Sequence, residues 1–256
     1  MPDSPPVARS AVVASLRAAG CVFPEDEAEL LIQSAPTAPD LARLVEQRVA
    51  GLPLEQVLGW AEFCGRRIAI DPGVFVPRRR SEFLVQQAMA ITKPGAVVVD
   101  MCCGSGAIGA ALAAVLSIDL YAVDIDPAAV ACARRNVADH VYQGDLYEPL
   151  PSTLRGRIDA LVVNAPYVPT GEIAFMPPEA RLYEPQVALD GGVDGLAVQR
   201  RVVAGAPLWL APAGTLLIET SGRQAARTAD LMAAVGMAAR IVQSDVLDAT
   251  VVIATR

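Results

Sequence analysis

From residue 96 onward, short apolar runs alternate with stretches whose apolar positions recur at helical spacing. Strand-like runs fall at 96–100, 119–123, 140–143, 158–163, 214–219, 238–242 and 249–254, and helical patterns at 106–116, 127–137, 196–210 and 222–235. Apolar strands separated by helices of this length predict a largely parallel sheet covered on both faces. Only residues 243–248 separate the last two strands. No crossover helix fits there, so those two predict an antiparallel hairpin. The expected fold is α/β, a seven-stranded, mostly parallel sheet with an antiparallel last strand.

The first part of the chain has a different rhythm. Residues 7–19 and 25–33 carry Ala, Val, Leu and Ile at helical spacing. Pro36-Thr37-Ala38-Pro39-Asp40 breaks the pattern, with Thr37 or Asp40 as the cap of a third helix. Leu41, Leu44, Val45 and Val49 line one face of that helix and Gly51 marks its stop. Phe63, Ile68 and Ile70 read as short strands, Asp71-Pro72-Gly73 as a turn, and residues 81–91 as a further helix. The expected domains are a helical segment at 1–58, a linker with a short β-hairpin at 59–80, and the α/β domain at 81–256.

The strand ends carry the chemistry. Asp100-Met101-Cys102-Cys103-Gly104-Ser105-Gly106-Ala107 joins a strand to a helix. Its glycines let the backbone turn tightly beside a ligand, although such a turn alone is also an ordinary tight connection. It matches neither the dinucleotide G-x-G-x-x-G pattern nor the G-K-[ST] phosphate loop. The next strand stops at Asp124, where an acid accepts from both hydroxyls of a ribose. The alternative role, capping the helix at Pro127, suits Asp126 better. The third strand runs into Gly144-Asp145-Leu146. Asp145 there is either an acceptor for an adenine amino group or plain turn chemistry. The fourth ends in Asn164-Ala165-Pro166-Tyr167. The Asn164 side-chain oxygen and the Ala165 carbonyl can accept from a planar nitrogen and stabilise positive charge as it builds, with the Tyr167 ring packed on the amide. The bland alternative is a rigid Pro turn with Asn164 bonded to its own backbone.

Composition narrows the partners. The chain has 256 residues, 53% of them apolar, and a net charge of −7 from 28 acids and 21 bases. That field opposes a phosphate backbone, so nucleic acid is not the expected substrate. Five cysteines, odd in number and without a CxxC pair, and the single His140 leave little material for a metal site, and none is expected. Reduced thiols, an N-terminus without an apolar signal core and the lack of a membrane-length apolar run predict a cytoplasmic protein with no membrane partner. His140 reads as a surface or strand-cap residue, Cys102 and Cys103 as small loop residues, and Arg78-Arg79-Arg80 as a solvated face or ion-pair cluster. Residues 172–186 either cover the substrate or pack on the sheet edge.

Together these residues resemble a class I S-adenosylmethionine-dependent methyltransferase. More narrowly, they resemble the protein-glutamine N5-methyltransferases that modify the Gly-Gly-Gln loop of peptide-chain release factors. The resemblance covers nearly all of residues 25–256. Its landmarks are 53–59, 71–78, 100–106, 144–146, the Asn164 turn, Glu184-Pro185, 188–192, Asp194-Gly195-Leu196 and Glu219. It implies S-adenosyl-L-methionine as cofactor, with Asp100, Cys102, Gly104 and Gly106 around its methionine part. Asp124 belongs at the ribose and Asp145 beside the adenine, with Ile125 and Leu146 also among the cofactor-binding residues. Asn164 counts with both the cofactor and the catalytic residues, the latter being Asn164, Ala165, Pro166 and Tyr167. It further implies a protein substrate, a release factor, recognised by the helical segment, and a monomer is expected. The alternatives are N6-adenine methylation of nucleic acid and cofactor binding with little catalysis. Two departures stand out. The family reads Asn-Pro-Pro-Tyr where this chain has Ala165, which keeps the carbonyl but loses rigidity. The family's Pro-Glu after Arg78 is here Arg79-Arg80, a base for an acid.

Overall fold

The computed structural model describes residues 6–138 and 140–256; the first five residues of the helical segment lie outside them. Helices Pro6–Ala18, Pro24–Ser34, Ala38–Val49 and Leu54–Leu58 pack around Leu16, Ala28, Leu31, Leu44 and Val57, an apolar cluster of their own. Thr37 is the cap of the third helix: its hydroxyl accepts from Asp40 N at 3.3 Å, while the Asp40 carboxylate takes the Thr37 hydroxyl at 2.6 Å. A two-stranded antiparallel hairpin follows, β1 (Trp60–Phe63) and β2 (Arg66–Ala69). A single 3-10 turn, Arg79–Ser81, then leads into helix Glu82–Ile91.

The α/β part contains β3 (Val97–Met101), β4 (Asp119–Asp124), β5 (Val141–Gln143), β6 (Ile158–Val163), β7 (Leu210–Thr220), β8 (Ala238–Ser244) and β9 (Ala249–Thr255). They form one seven-stranded sheet in the order β5-β4-β3-β6-β7-β9-β8. The first five are parallel, and β9 runs antiparallel to both β7 and β8, so the closing hairpin inserts its second strand. This is the fold class expected from the alternation of runs. Both faces are covered: Val98, Ala122, Val162 and Leu217 meet one set of helices, and Val99, Val123, Leu161 and Leu216 the other. The strand predicted at 214–219 begins earlier, at Leu210, across a register shift between Ile158 and Ala160. Gly214 sits at that irregularity, where a Cβ would stand 2.6 Å from the Ile158 carbonyl oxygen.

The order reverses at β3, whose chain neighbour β4 lies on one side and β6 on the other. Such a switch point opens a crevice beyond the carboxyl ends of the strands. Register then fixes what lines it. Met101 is aligned with both Val123 and Val163, and Asp124 with Gln143. The next residues in each strand, Cys102, Asp124 and Asn164, followed by Gly144-Asp145, therefore emerge side by side.

Candidate active site

A cavity of about 670 Å³ occupies that crevice. Cys102, Gly104, Asp124, Ile125, Asp145 and Leu146 line one half, and Asn164, Ala165, Pro166 and Tyr167 line the other. Two of the residues expected to hold the cofactor stand behind the wall. Gly106, with φ +75°, packs against helix Pro127–Asn136, where a Cβ would meet Val137 Cγ2 at 2.9 Å. Asp100 is fully buried and accepts from Gly109 N at 2.8 Å, which pins helix Ala107–Ala113 to the end of β3.

Asp124 is more engaged than a free ribose acceptor. Its Oδ2 accepts from Gly104 N at 2.8 Å and its Oδ1 from Asp126 N at 2.9 Å. Asp126 caps the following helix by accepting from Ala128 N at 2.8 Å. Asp124 thus ties the glycine turn to the next strand end, and each oxygen keeps lone-pair capacity for a further donor. Burial raises its pKa, against the backbone N–H groups that lower it. Beyond it, Ile125 is 49% exposed, an apolar side chain laid open on the cavity wall, and Leu146 lies on the same wall. Asp145 borders this apolar slot and takes a hydrogen bond from Arg201 Nη2 at 2.7 Å. Carboxylates at the ends of β4 and β5 around an apolar slot suit the hydroxyls, amino group and flat ring of an adenosine. Burial pushes the thiols of Cys102 and Cys103 well up, so they stay neutral and pack.

Burial also raises the pKa of Asp100, to about 7, with Asp124 adding to the rise. A carboxyl whose folded pKa is raised contributes stability fully below its unfolded pKa, and that contribution is lost as pH climbs from about 4 through 7. Asp100 Oδ1 has no hydrogen-bond partner among the described residues. Asp100→Asn keeps an oxygen for Gly109 and cannot ionise. Without ligand, its Tm relative to wild type is expected to rise from pH 5 to pH 8 by thermal denaturation; a constant difference across that range contradicts the assignment.

On the acceptor side, Asn164 Nδ2 donates to Ser81 Oγ at 3.2 Å. That bond commits the amide nitrogen to the protein and leaves Oδ1 as the acceptor for the cavity. Ala165 is buried at 1% exposure. The rest of the turn is clamped from behind. Gln224 Nε2 donates to the Tyr167 carbonyl at 3.0 Å, and Gly191 N donates to Val168 O at 2.8 Å. The clamp needs glycine: a Cβ on Gly195 would stand 2.3 Å from Tyr167 O, and one on Gly191 2.8 Å from Pro166 O. These contacts brace the turn where the chain lacks the first proline of the family motif. Burial, with Glu219 nearby, pushes the Tyr167 phenol up to about 12, so its ring is neutral. Sequence reading missed Ser81 and Gln224, because neither stands in a pattern that announces a partner 83 or 57 residues away.

The segment after the turn forms a wall of the cavity through Met176, Pro185, Val187 and Leu189. It is anchored to the junction between hairpin and sheet: Arg78 Nη2 donates to Glu184 Oε2 at 2.6 Å and Val76 N to Glu184 Oε1 at 3.2 Å. Arg80 Nε lies 3.6 Å from Glu219. Arg78 and Arg80 of the arginine run are thus ion-paired on the cavity lining. His140 is an exposed residue stacked on Tyr121, with ring centroids 4.6 Å apart.

The sheet order, the switch-point cavity and the acids at successive strand ends define a class I S-adenosylmethionine-dependent methyltransferase, a fold able to bind that cofactor. Residues 66–176 match the family model described as methyltransferase small domain. The chain is 37% identical over 242 residues to the release factor glutamine methyltransferase of Mycolicibacterium smegmatis, covering 86% of this chain and 85% of that one. The enzyme of the same description from Geobacter sulfurreducens is 40% identical over 188 residues, 71% of this chain and 65% of its own length. Among solved structures, the ribosomal protein L11 methylase of Lactobacillus delbrueckii subsp. bulgaricus shares the fold, with a TM-score of 0.53 at 15% identity over 74% of this chain and 84% of that one. This chain belongs to the release factor glutamine methyltransferase family and is an enzyme of that family. Among the described residues no helix is long and apolar enough to cross a membrane.

Proposed function

We propose that this chain transfers a methyl group from S-adenosylmethionine to the side-chain amide nitrogen of a glutamine in a peptide-chain release factor. The observation that carries the proposal is Asn164, whose Nδ2 is committed to Ser81 and whose Oδ1 is left to the cavity. The cofactor, when bound, supplies an electrophilic methyl on a positively charged sulfur. Cys102 and Gly104 would hold its methionine part, Asp124 its ribose, and Asp145, Ile125 and Leu146 its adenine. An amide nitrogen is a weak nucleophile because its lone pair is shared with the carbonyl. Asn164 Oδ1 and the Ala165 carbonyl would accept its two N–H groups and favour the positive charge that builds there, without reorganising. The Tyr167 ring would pack on the amide plane and exclude water, and fixed placement supplies the remainder. The N-terminal helices, which bond to Glu179 and Tyr183 in the segment between the cavity-lining Met176 and Pro185, would read the protein substrate. A monomer working in the cytoplasm completes this reading.

Two measurements bear on it. Purified protein incubated with tritiated S-adenosylmethionine and a release factor is expected to label one glutamine at its side-chain nitrogen, located by mass spectrometry. Label on nucleic acid instead, or none despite cofactor binding, overturns the proposal. For the cofactor half, Asp124→Ala removes a charged acceptor and unties the glycine turn. Its Kd for S-adenosylmethionine is expected to rise about 10- to 100-fold by calorimetry; an unchanged Kd removes Asp124 from the ribose.

A further inference from the structure

Behind Asn164 lies a short polar chain that reaches no solvent. Val163 is aligned with Ile218, so Asn164 and Glu219 are neighbours at the ends of β6 and β7. Ser81 and Glu219 are each only 2% exposed. Ser81 enters from the 3-10 turn before helix Glu82–Ile91 and accepts from Asn164 Nδ2 at 3.2 Å. A hydroxyl that accepts one bond still has one proton to give. Neither Glu219 oxygen has a fully formed hydrogen bond among the described residues, and Ser81 is the side chain placed to give one. At that burial an unmet carboxylate is costly, and its nearest cation is Arg80, 3.6 Å away. Ser81 and Arg80 both pull the Glu219 pKa down against the larger upward push of burial.

We propose that Glu219 and Ser81 are positioning residues that set the direction of the Asn164 amide. The inference rests on the reading that Asn164 meets the methyl acceptor. An ionised carboxylate only accepts, so the Ser81 proton turns toward Glu219. Ser81 then offers only lone pairs to Asn164, so the asparagine must present NH2 to Ser81 and its oxygen to the cavity. A flipped amide would set its oxygen, an acceptor, against Ser81's lone pairs and turn N–H groups, useless to an incoming N–H, toward the substrate. Arg80, 3.6 Å away, shares in this by opposing the burial that disfavours the charge on Glu219. The chain therefore converts one buried charge into a fixed acceptor at the place where an amide nitrogen has to be gripped.

The test reads the amide directly, so it does not depend on the identity of the acceptor. In ¹⁵N-labelled protein, the Asn164 side-chain NH2 resonances are assigned by their disappearance in Asn164→Asp. They are expected to exchange with solvent slowly in wild type, about tenfold faster in Ser81→Ala, and at an intermediate rate in Glu219→Gln. Ser81→Thr, which keeps the hydroxyl, is expected to retain protection. With an accepted substrate, Ser81→Ala is expected to lower kcat about tenfold while KM and the S-adenosylmethionine Kd stay within about twofold. In the Asn164→Ala background it is expected to cost nothing further. Unchanged exchange in both Ser81→Ala and Glu219→Gln overturns the proposal, as does a full extra loss in the Asn164→Ala background. If Ser81→Ala does not fold, Glu219→Gln decides by the same exchange measurement. Absence of glutamine methylation by wild type would fault the functional reading alone, since the exchange rates still report the amide's direction.

Discussion

Asn164→Ala is expected to lower kcat for methyl transfer to glutamine about 1000-fold, the scale seen when a preorganised group facing developing charge is removed. The truncation takes away the side-chain oxygen at the end of β6 and leaves the Ala165 carbonyl as the sole acceptor in the turn. The lost interaction strengthens as the nitrogen becomes positive, so kcat and kcat/KM should fall together, with little change in KM. Folding should be nearly untouched. Asn164 is only partly buried, its side chain makes one hydrogen bond, and the turn is held independently by Gln224 and by the packing of Gly191 and Gly195. Steady-state kinetics with a release factor, alongside a thermal melt, separates the two. A loss below about tenfold would assign the grip on the nitrogen to another group.

Most of the architecture was readable from the spacing of apolar runs, because buried parallel strands and their covering helices leave opposite periodicities. Each of the seven sheet strands falls within a few residues of its run, the early start of β7 aside, since a strand edge at a bulge carries no apolar signature. The strand-end residues were readable for a related reason: a polar residue closing an apolar run is conspicuous. Their division of labour was not. Asp100 and Asp124 look alike in sequence, yet Asp100 is sealed behind the turn while Asp124 faces the cavity. That difference depends on which way successive side chains point, and a one-residue step reverses it. Ser81, Glu219 and Gln224 converge on the Asn164 turn from three separate elements, and only the sheet order brings them together. The replacement of an acid by Arg80 was legible as a departure, but its counter-charge, Glu219, lies 139 positions further along the chain and became visible only once β6 and β7 were paired.

The second large effect concerns Arg48, a residue remote from the chemistry. It stands near the end of helix Ala38–Val49 at 11% side-chain exposure. Its Nε donates to Glu27 at 2.6 Å, Nη2 to the other Glu27 oxygen at 3.2 Å, and Nη1 to Leu52 O at 3.0 Å and to Glu179 at 2.6 Å. One guanidinium therefore joins two N-terminal helices and ties both to helix Pro178–Tyr183, beside the cavity wall. Arg48→Ala strands the Glu27 carboxylate, buried at 8% exposure, without its cation. Breaking a buried pair in this way costs about 3–5 kcal/mol, which for a chain of this size lowers Tm by roughly 6–20 °C. Arg48→Lys restores the charge but not the fork, and should recover part of the loss. Below the melt, the wall segment would keep its Arg78–Glu184 anchor and the Tyr183–Ala50 bond but lose the Glu179 tie to the helices. KM for the protein acceptor should then rise while S-adenosylmethionine affinity holds, because Asp124 and the glycine turn are untouched. Equal weakening of both ligands would show that the helical segment supports the whole cavity rather than its acceptor side, and a Tm within about 2 °C of wild type would remove Arg48 from the junction altogether.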